Sequence, residues 1–487
     1  MRKAETMMRT NIARVVPIVG LVWATGACDD LTSINENPNA PTDVPASFLL
    51  PQAIQSGVQQ TWSAFQLQSH TTIWPQHLVQ IQYPDEEQGN VRSSSMEGFW
   101  TSYFTGPLKD IQTVIDKGVE TGEPNFEAVG RIWKAWTYHI VTDSWGDVPY
   151  LEALDELATT PTYDPQADIY ADLLAELTAA SAQLTPGGSG FGAGDLIYGN
   201  DFAAWARFAN SLRMRLAMRM SEVDPTTAES QFVAAYNAGG FASNGDNALL
   251  RYPGAPYENP MFENYLGRDD HGVSATMIDT LLSLNDPRLS LYAEPATEDG
   301  VYRGHQNGRD DLPVGQSLAW FSRIGNFWRA DGAATPTVIM SYSEVLFLQA
   351  EAAQRGWIAA DPATLYADAI QASMNQYDAQ GVGPTDAEIA TYLTEPAVVF
   401  NPGTGLQQIY LQKWISLWMN GSEVWADWRR TDMPALAMGP DLQLSRIPVR
   451  FSYPDSEQSL NHSNLNAAIS RQGGGLDLVT TVWWDVN

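Results

Sequence analysis

From Pro45 onward, apolar residues return every three or four positions over most of the chain, the spacing of a helix with one buried face. Pro45–Gln68 opens this pattern. Met96–Gly118 continues it, with Trp100, Tyr103, Phe104, Leu108, Ile111 and Ile115 on one face and Gly118 placed as a C-cap. Phe126–Gly146 reads as a further helix. Asp164–Leu184 reads as another, with Asp164 as N-cap and Pro165 at the first helical position. Asp201–Ser221 aligns Phe202, Trp205, Phe208, Leu212, Leu216 and Met220, with arginines around that stripe. Met340–Trp357 and the segment from Asp361 to Gly381 form a helical hairpin, the second helix again opened by Asp-Pro. Gly405–Pro434 is the last long helical segment, and loops with a short strand close the chain.

The stretch from about Phe241 to Thr335 breaks the pattern. It is rich in Gly, Pro, Asn and Asp, and Val273–Arg288 is its clearest helix. Aromatic residues stand in its loops: Tyr252, Tyr257, Tyr265, Trp320, Phe321, Phe327 and Trp328. The fold expected is all-α, a degenerate tetratricopeptide-like scaffold of helix pairs with a loop-rich, irregular part. The Ala-rich helix from Met340 permits close pairing, although no strict period of about 34 residues shows.

The first residues follow a different rule. Residues 1–14 are basic, residues 15–24 (VVPIVGLVWA) are apolar, and Thr25, Gly26 and Ala27 are small. That is a secretory signal in its three parts, with an apolar run too short to span a bilayer permanently. Cys28 follows, the only cysteine of 487 residues, so no internal disulfide and no cysteine-based zinc site can form. A cysteine directly after small residues resembles a bacterial lipoprotein processing site, with Thr25 where that pattern usually has Leu. Asp29 and Asp30 resemble the surface-export signals of Bacteroidetes-type lipoproteins. The expected organisation is a signal peptide over 1–27, a lipidated Cys28 with a polar, proline-broken tether over 28–45, and one domain over 46–487.

Charge narrows the partners. A net charge of -30 repels phosphate backbones, so nucleic acid is not expected as a ligand. Catalytic patterns are missing. No HExxH occurs, nor any GxSxG after a plausible strand. His70 and His77 are two helical turns apart, but Pro75 lies between them. Asp269-Asp270 and Asp310-Asp311 do not complete a calcium loop. Carboxylate pairs arise by chance among 57 acidic residues and define no glycosidase. No catalytic residue, metal or cofactor is expected.

Ligand binding needs less. A sugar ring offers a flat C–H face to an aromatic ring, and its hydroxyls take amides, carboxylates or arginines. Two segments hold loop aromatics among such neighbours, Ile73–Asn90 and Arg303–Trp328. The expected platforms are Tyr83, Trp320 and Phe321, with Gln82, Asn90, Arg323 and Asn326 as polar partners. Trp74, Trp133, Trp136, Trp205 and Trp414 are assigned to the core.

DSWGDVPYLEA (Asp143–Ala153) followed by PTYDPQADIYADLL (Pro161–Leu174) resembles the SusD/RagB family of outer-membrane nutrient-binding lipoproteins. DLIYGNDFAAWARFANSLRMRLAMR (Asp195–Arg219), LNDPRL (Leu284–Leu289), the helix of Ser343–Gly356, Gln412–Pro434 and Arg446–Asn461 extend the likeness in order over the mature chain. The resemblance implies four tetratricopeptide-like helix pairs, a loop-rich part carrying the ligand surface near the two segments above, and no catalysis. It also implies a SusC-like TonB-dependent outer-membrane transporter as partner, a lipid-anchored outward-facing location, and an oligosaccharide or peptide ligand. Within it, Trp145–Tyr150 reads as a packing turn and Trp428–Thr431 as an internal arginine network. An extracytoplasmic glycan hydrolase and a helical interaction scaffold are the alternatives.

Overall fold

Prolines and short polar side chains set where the helices begin. In the computed structural model, which describes residues 44–63, 69–155, 157–310, 312–475 and 477–487, Asp201 caps its helix by accepting from the Ala204 N–H at 3.0 Å. Asp361 does the same for Thr364 at 3.0 Å, and Ser341 for Glu344 at 3.1 Å. Pro107, Pro124, Pro225 and Pro362 sit at first helical positions, where a missing N–H costs nothing. Cys28, the segment before it and the tether up to Asp43 lie outside the described residues.

The described chain is mostly helical. The scaffold runs through α1 (Ala46–Trp62), α2 (Ser93–Thr105), α3 (Pro107–Thr121), α4 (Pro124–Trp145), α5 (Gln166–Gln183), α6 (Phe202–Arg219) and α7 (Pro225–Ala238). After the loop-rich part, with α8 (Pro260–Gly267), α9 (Ala275–Ser283) and α10 (Leu289–Tyr292), come α11 (Tyr342–Gln354), α12 (Pro362–Met374), α13 (Asp386–Tyr392), α14 (Gly405–Ser416) and α15 (Gly421–Thr431). Two short helices, α16 (Asp455–Leu460) and α17 (His462–Arg471), end the chain. Successive helices pack side by side from α3 to α7; α1 lies on α3, and α11 pairs with α12 and α14. Residues from Ala46 to Asn487 form one compact unit.

Four boundaries differ from the sequence reading. Met96–Gly118 is not one helix: it breaks at Gly106, because Pro107 lacks the N–H that would continue the ladder. Gly118 is not a C-cap; that role falls to Gly122, at φ 69°. Gly118 instead lies inside α3, and a Cβ there would collide with the Glu127 backbone of α4. Gly405–Pro434 is also two helices, divided at Leu417–Asn420 with Met419 at φ 65°. Asp164 does not cap α5 either: Pro165 holds the N-cap position, and the Asp164 carboxylate accepts the Tyr150 and Leu151 N–H groups, each at 3.0 Å.

The core runs through the whole scaffold, and Trp133, Trp136, Trp145, Trp205 and Trp414 are fully buried in it. Several indoles join distant parts of the chain. Trp62 donates to the Met419 carbonyl at 2.6 Å, Trp414 to Pro75 at 3.0 Å, Trp145 to Ser452 at 3.0 Å, and Trp484 to the Asp143 carboxylate at 2.8 Å. The Trp145–Tyr150 turn is a packing element as read, with Gly146 at φ 85°.

Arginines of α6 and α15 form a buried ionic network. Arg215 grips Glu344 at 2.6 and 2.7 Å, and Arg219 reaches Glu423 at 2.6 Å. Arg430 holds Glu351 at 2.7 and 2.8 Å and Asp427 at 3.0 Å, while Lys413 meets Asp427 at 2.9 Å. Burial alone would raise the Asp427 carboxyl, but Lys413, Arg430 and Arg219 outweigh it and hold it far below the usual carboxylate range. Arg429 donates to the Asp143 and Val449 carbonyls at 2.7 and 2.8 Å.

Candidate functional site

The loop-rich part is organised by three short antiparallel pairs. β1 (Leu78–Gln80) pairs with β3 (His271–Val273), β2 (Ala248–Leu250) with β6 (Thr337–Met340), and β4 (Ala293–Glu294) with β5 (Arg323–Ile324). The register sets Gln80 opposite His271, and the Ile81 N–H continues the ladder to the Asp270 carbonyl at 2.8 Å. The Val273 N–H reaches the Ser322 carbonyl, so β5 lies beside β3. The segments Ile73–Asn90 and Arg303–Trp328, far apart in sequence, thus meet on one side of the molecule.

Two buried side chains lock them together. Glu87 accepts from the Gln80 N–H at 2.7 Å and the Gly308 N–H at 2.6 Å. The Asn307 amide donates to Glu87 at 3.0 Å and to the Leu78 carbonyl at 2.8 Å, and its oxygen accepts the Ser274 hydroxyl at 2.6 Å. Burial pushes the Glu87 carboxyl up to about 8, although Gly308, Gln80 and Asn307 pull the other way and Glu86 adds repulsion. The sequence reading did not single out Glu87 or Asn307, because neither residue type at its position predicts a partner some 220 residues away.

Past Ile81 the chain turns outward. Gln82 and Tyr83 are exposed, and Tyr83 adopts a left-handed backbone at φ 56°, which tips its ring away from the strand. The Arg268 guanidinium lies 5.2 Å from the centre of that ring and is itself tied to Asp270. Arg329 lies 4.6 Å from the Tyr265 ring and holds Asp269 at 2.8 Å. Trp320, half-buried at the end of a short 3-10 turn, is backed by Arg303 at 3.9 Å, within contact distance of the ring. Arg303 is fixed in turn by the Trp320 carbonyl at 2.7 Å and by Asp299 at 3.0 Å. Each of these rings is therefore held by a cation that is itself anchored.

Other expected site residues fall differently. Phe321 is only 8% exposed and packs edge-on against His305 at 4.6 Å, so it belongs to the interior and not to a stacking surface. Arg323 donates to the Asp269 and His271 carbonyls at 3.3 and 3.4 Å, which makes it an internal strut. Asn326 is half-buried, with its N–H given to Glu294 at 2.9 Å. Asn90 is exposed and closes a turn through its N–H to the Asp85 carbonyl at 2.8 Å. Trp74 is buried, as read, and donates to the Glu86 carbonyl at 3.1 Å.

His70, His77, His139 and His305 pack against aromatic rings. His77 packs against Trp414 at 4.7 Å, and His70 edge-on against Trp74 and Phe99 at 5.3 Å each. Burial lowers His77 and His271 to about 3 and His305 to about 4, so these three stay neutral at physiological pH. Among the described residues, no group of three or more His, Cys, Asp and Glu is placed to hold a metal ion, and no helix is long and apolar enough to cross a membrane.

A stacked-helix scaffold that presents anchored aromatic rings from a strand-braced loop surface defines a class of ligand-binding proteins. Residues 38–454 match the family described as SusD-like, starch-binding associating with outer membrane, and the chain belongs to it. No curated protein matches. Among solved structures, one named a chitin-binding protein is 32% identical with a TM-score of 0.81, covering 90% of this chain and 100% of its own. A structure named Bacteroidetes AC2a SusD-like is 27% identical, with a TM-score of 0.82 and coverage of 91% and 100%. A chitin-binding SusD homolog from Flavobacterium johnsoniae is 25% identical, with a TM-score of 0.79 and coverage of 91% and 98%.

Proposed function

We propose that this protein is a surface-exposed outer-membrane lipoprotein, anchored through Cys28, that captures oligosaccharides and delivers them to a SusC-like TonB-dependent transporter. The observation that carries this reading is the match over 90% of this chain, at 32% identity, to a protein named for chitin binding. The loop surface supports it. Tyr83 is 58% exposed, and Trp320 and Tyr265 are half-buried; arginine support pre-orients all three for stacking on sugar C–H faces. Gln82, next to Tyr83 in the chain, and Asn90 are exposed and supply amides for hydroxyl groups.

Binding without turnover fits the titratable groups. Among the carboxyls that burial raises, Glu87, Asp143 and Glu344 each accept hydrogen bonds from the scaffold, an arrangement suited to holding structure.

The test is calorimetric titration of the purified chain with chitohexaose, maltohexaose and short peptides, with Trp320→Ala and Tyr83→Ala in parallel. Loss of one stacking ring is expected to weaken oligosaccharide binding about tenfold, or about 1.4 kcal/mol, with an unchanged melting temperature. A response to peptides alone would replace the sugar by a peptide, and released sugar products would replace capture by hydrolysis. Delivery fails if an outer-membrane barrel never copurifies from membranes of the native cell.

A further inference from the structure

One face of α1 differs from the rest of the surface. Leu50, Ala53, Ile54, Val58 and Trp62 turn inward and are buried. Gln52, Gln55, Ser56, Gln59 and Gln60 turn outward. None of the 17 residues of α1 is charged, in a chain with 57 acidic and 27 basic residues. Exposed helix faces are ordinarily kept in water by mixed charges. The face carries amides and hydroxyls, with Phe48 68% exposed at its start, and is suited instead to a neutral partner that offers both hydrogen-bonding groups and an apolar surface.

The space around this face is concave. A cavity of about 630 Å³ lies between α1 and α2, bounded on the α2 side by Arg92, Ser94, Ser95 and Ser102. A second, of about 300 Å³, lies between α1 and the segment Arg251–Glu263, which brings Arg251, Glu258 and Glu263 to its rim. Both include Ser56 and Gln59, so they meet on the amide face. Tyr257, 56% exposed, stands in the smaller one with Tyr252, whose hydroxyl is fixed on Thr337 at 2.7 Å. The Arg92 guanidinium is held by Glu86 at 2.8 Å, and Glu86 lies three residues after Tyr83.

We propose that the two cavities form one groove across α1 that binds a further stretch of an N-acetylated neutral oligosaccharide, apart from the Tyr83 and Trp320 surface. The proposal rests on the sugar reading above and adds a location and a sugar class to it. An acetamido group presents one N–H and one carbonyl, and each glutamine amide offers the matching acceptor and donor. Gln52, Gln55 and Gln59 repeat at helical spacing along the floor, which lets successive acetamido groups meet successive amides. Tyr257 supplies a stacking face, and Arg92 and the serines of α2 take ring hydroxyls. Because the Arg92 wall follows directly on the Tyr83 turn, a long chain engaging both surfaces gains from linked binding.

The experiment compares Ser56→Trp, which fills the shared centre of the groove, with Gln59→Ala, which removes one exposed amide and leaves the core untouched. Chitobiose, chitohexaose and maltohexaose are titrated by calorimetry into wild type, both variants and Trp320→Ala, with melting temperatures recorded. Chitohexaose affinity is expected to fall about tenfold in Ser56→Trp and several-fold in Gln59→Ala, with little change for chitobiose held at the loop surface. If Trp320→Ala weakens chitohexaose while both α1 variants bind like wild type, the groove is wrong and the loop surface stands. If wild type binds no oligosaccharide, both readings fall together. Equal losses for maltohexaose would refute the acetamido assignment. Should Ser56→Trp not fold, Gln59→Ala alone decides.

Discussion

Glu87 holds the segments Ile73–Asn90 and Arg303–Trp328 together, and its replacement has a calculable result. Glu87→Ala leaves the Gln80 and Gly308 N–H groups without their acceptor, while the Asn307 amide keeps the Leu78 and Ile73 carbonyls. Each of these two buried donors so stranded costs about 1–3 kcal/mol, for a total of about 2–6 kcal/mol. Glu87→Gln keeps one carbonyl oxygen but turns an NH₂ toward one of those donors, a loss of about 1–3 kcal/mol. The two variants also differ from wild type in pH dependence. Glu87 is raised from 4.5 to about 8, so the folded chain binds this proton more tightly than the unfolded chain. The stabilisation is complete below the unfolded value and is lost as pH rises through the folded one. Wild type therefore loses stability across that window by up to about 1.4 kcal/mol per pH unit from this group, and Glu87→Gln does not. Urea unfolding followed by circular dichroism, repeated at half-unit steps across that window, reads both quantities. Parallel stability curves for wild type and Glu87→Gln would falsify the assignment of the raised carboxyl, and an unchanged midpoint in Glu87→Ala would remove its bracing role.

Glu351→Gln strips the main counter-charge from Arg430 and should lower stability by about 3–5 kcal/mol, seen as a large drop in melting temperature; a shift near zero would mean that Asp427 alone satisfies Arg430. Gly118→Ala places a methyl against the Glu127 backbone, where Cα would be 2.9 Å away, and should cost about 1–3 kcal/mol by the same assay; a neutral result would show that α3 and α4 separate easily.

Helix content was legible because each scaffold helix keeps an apolar stripe, and caps such as Asp201 and Asp361 behave locally. The break between α14 and α15 was not legible, because its residues are as apolar as the helices. Leu417, Trp418 and Met419 are buried at 3, 4 and 6% exposure, so the turn reads as more helix. Asp164 misled for the opposite reason: its carboxylate serves a distant turn and not its own helix. The two loop segments were found from composition alone, but neighbouring residues within them were not separable. Trp320 and Phe321 are adjacent, and the chain becomes extended at Phe321 with φ -114° and ψ 150°. Successive side chains there diverge, and only the long-range contact with His305 decides which one is inside. Arg268 and Arg303, which back the rings, have no local mark in the sequence.

The indole staples also carry a consequence in time. Trp62 and Trp145 belong to early helices, yet their acceptors, Met419 and Ser452, follow 357 and 307 residues later, and Trp484 reaches back to Asp143. At ordinary synthesis rates the stretch after α13 takes on the order of 4–20 s to appear. Through those seconds the early helix pairs hold a tryptophan-lined surface with its donors unmet. Contacts of such separation also slow the final closure. Closure of this surface waits on the residues from Met419 onward, so a chain truncated before α14 is expected to stay open, sticky and dependent on a holding partner.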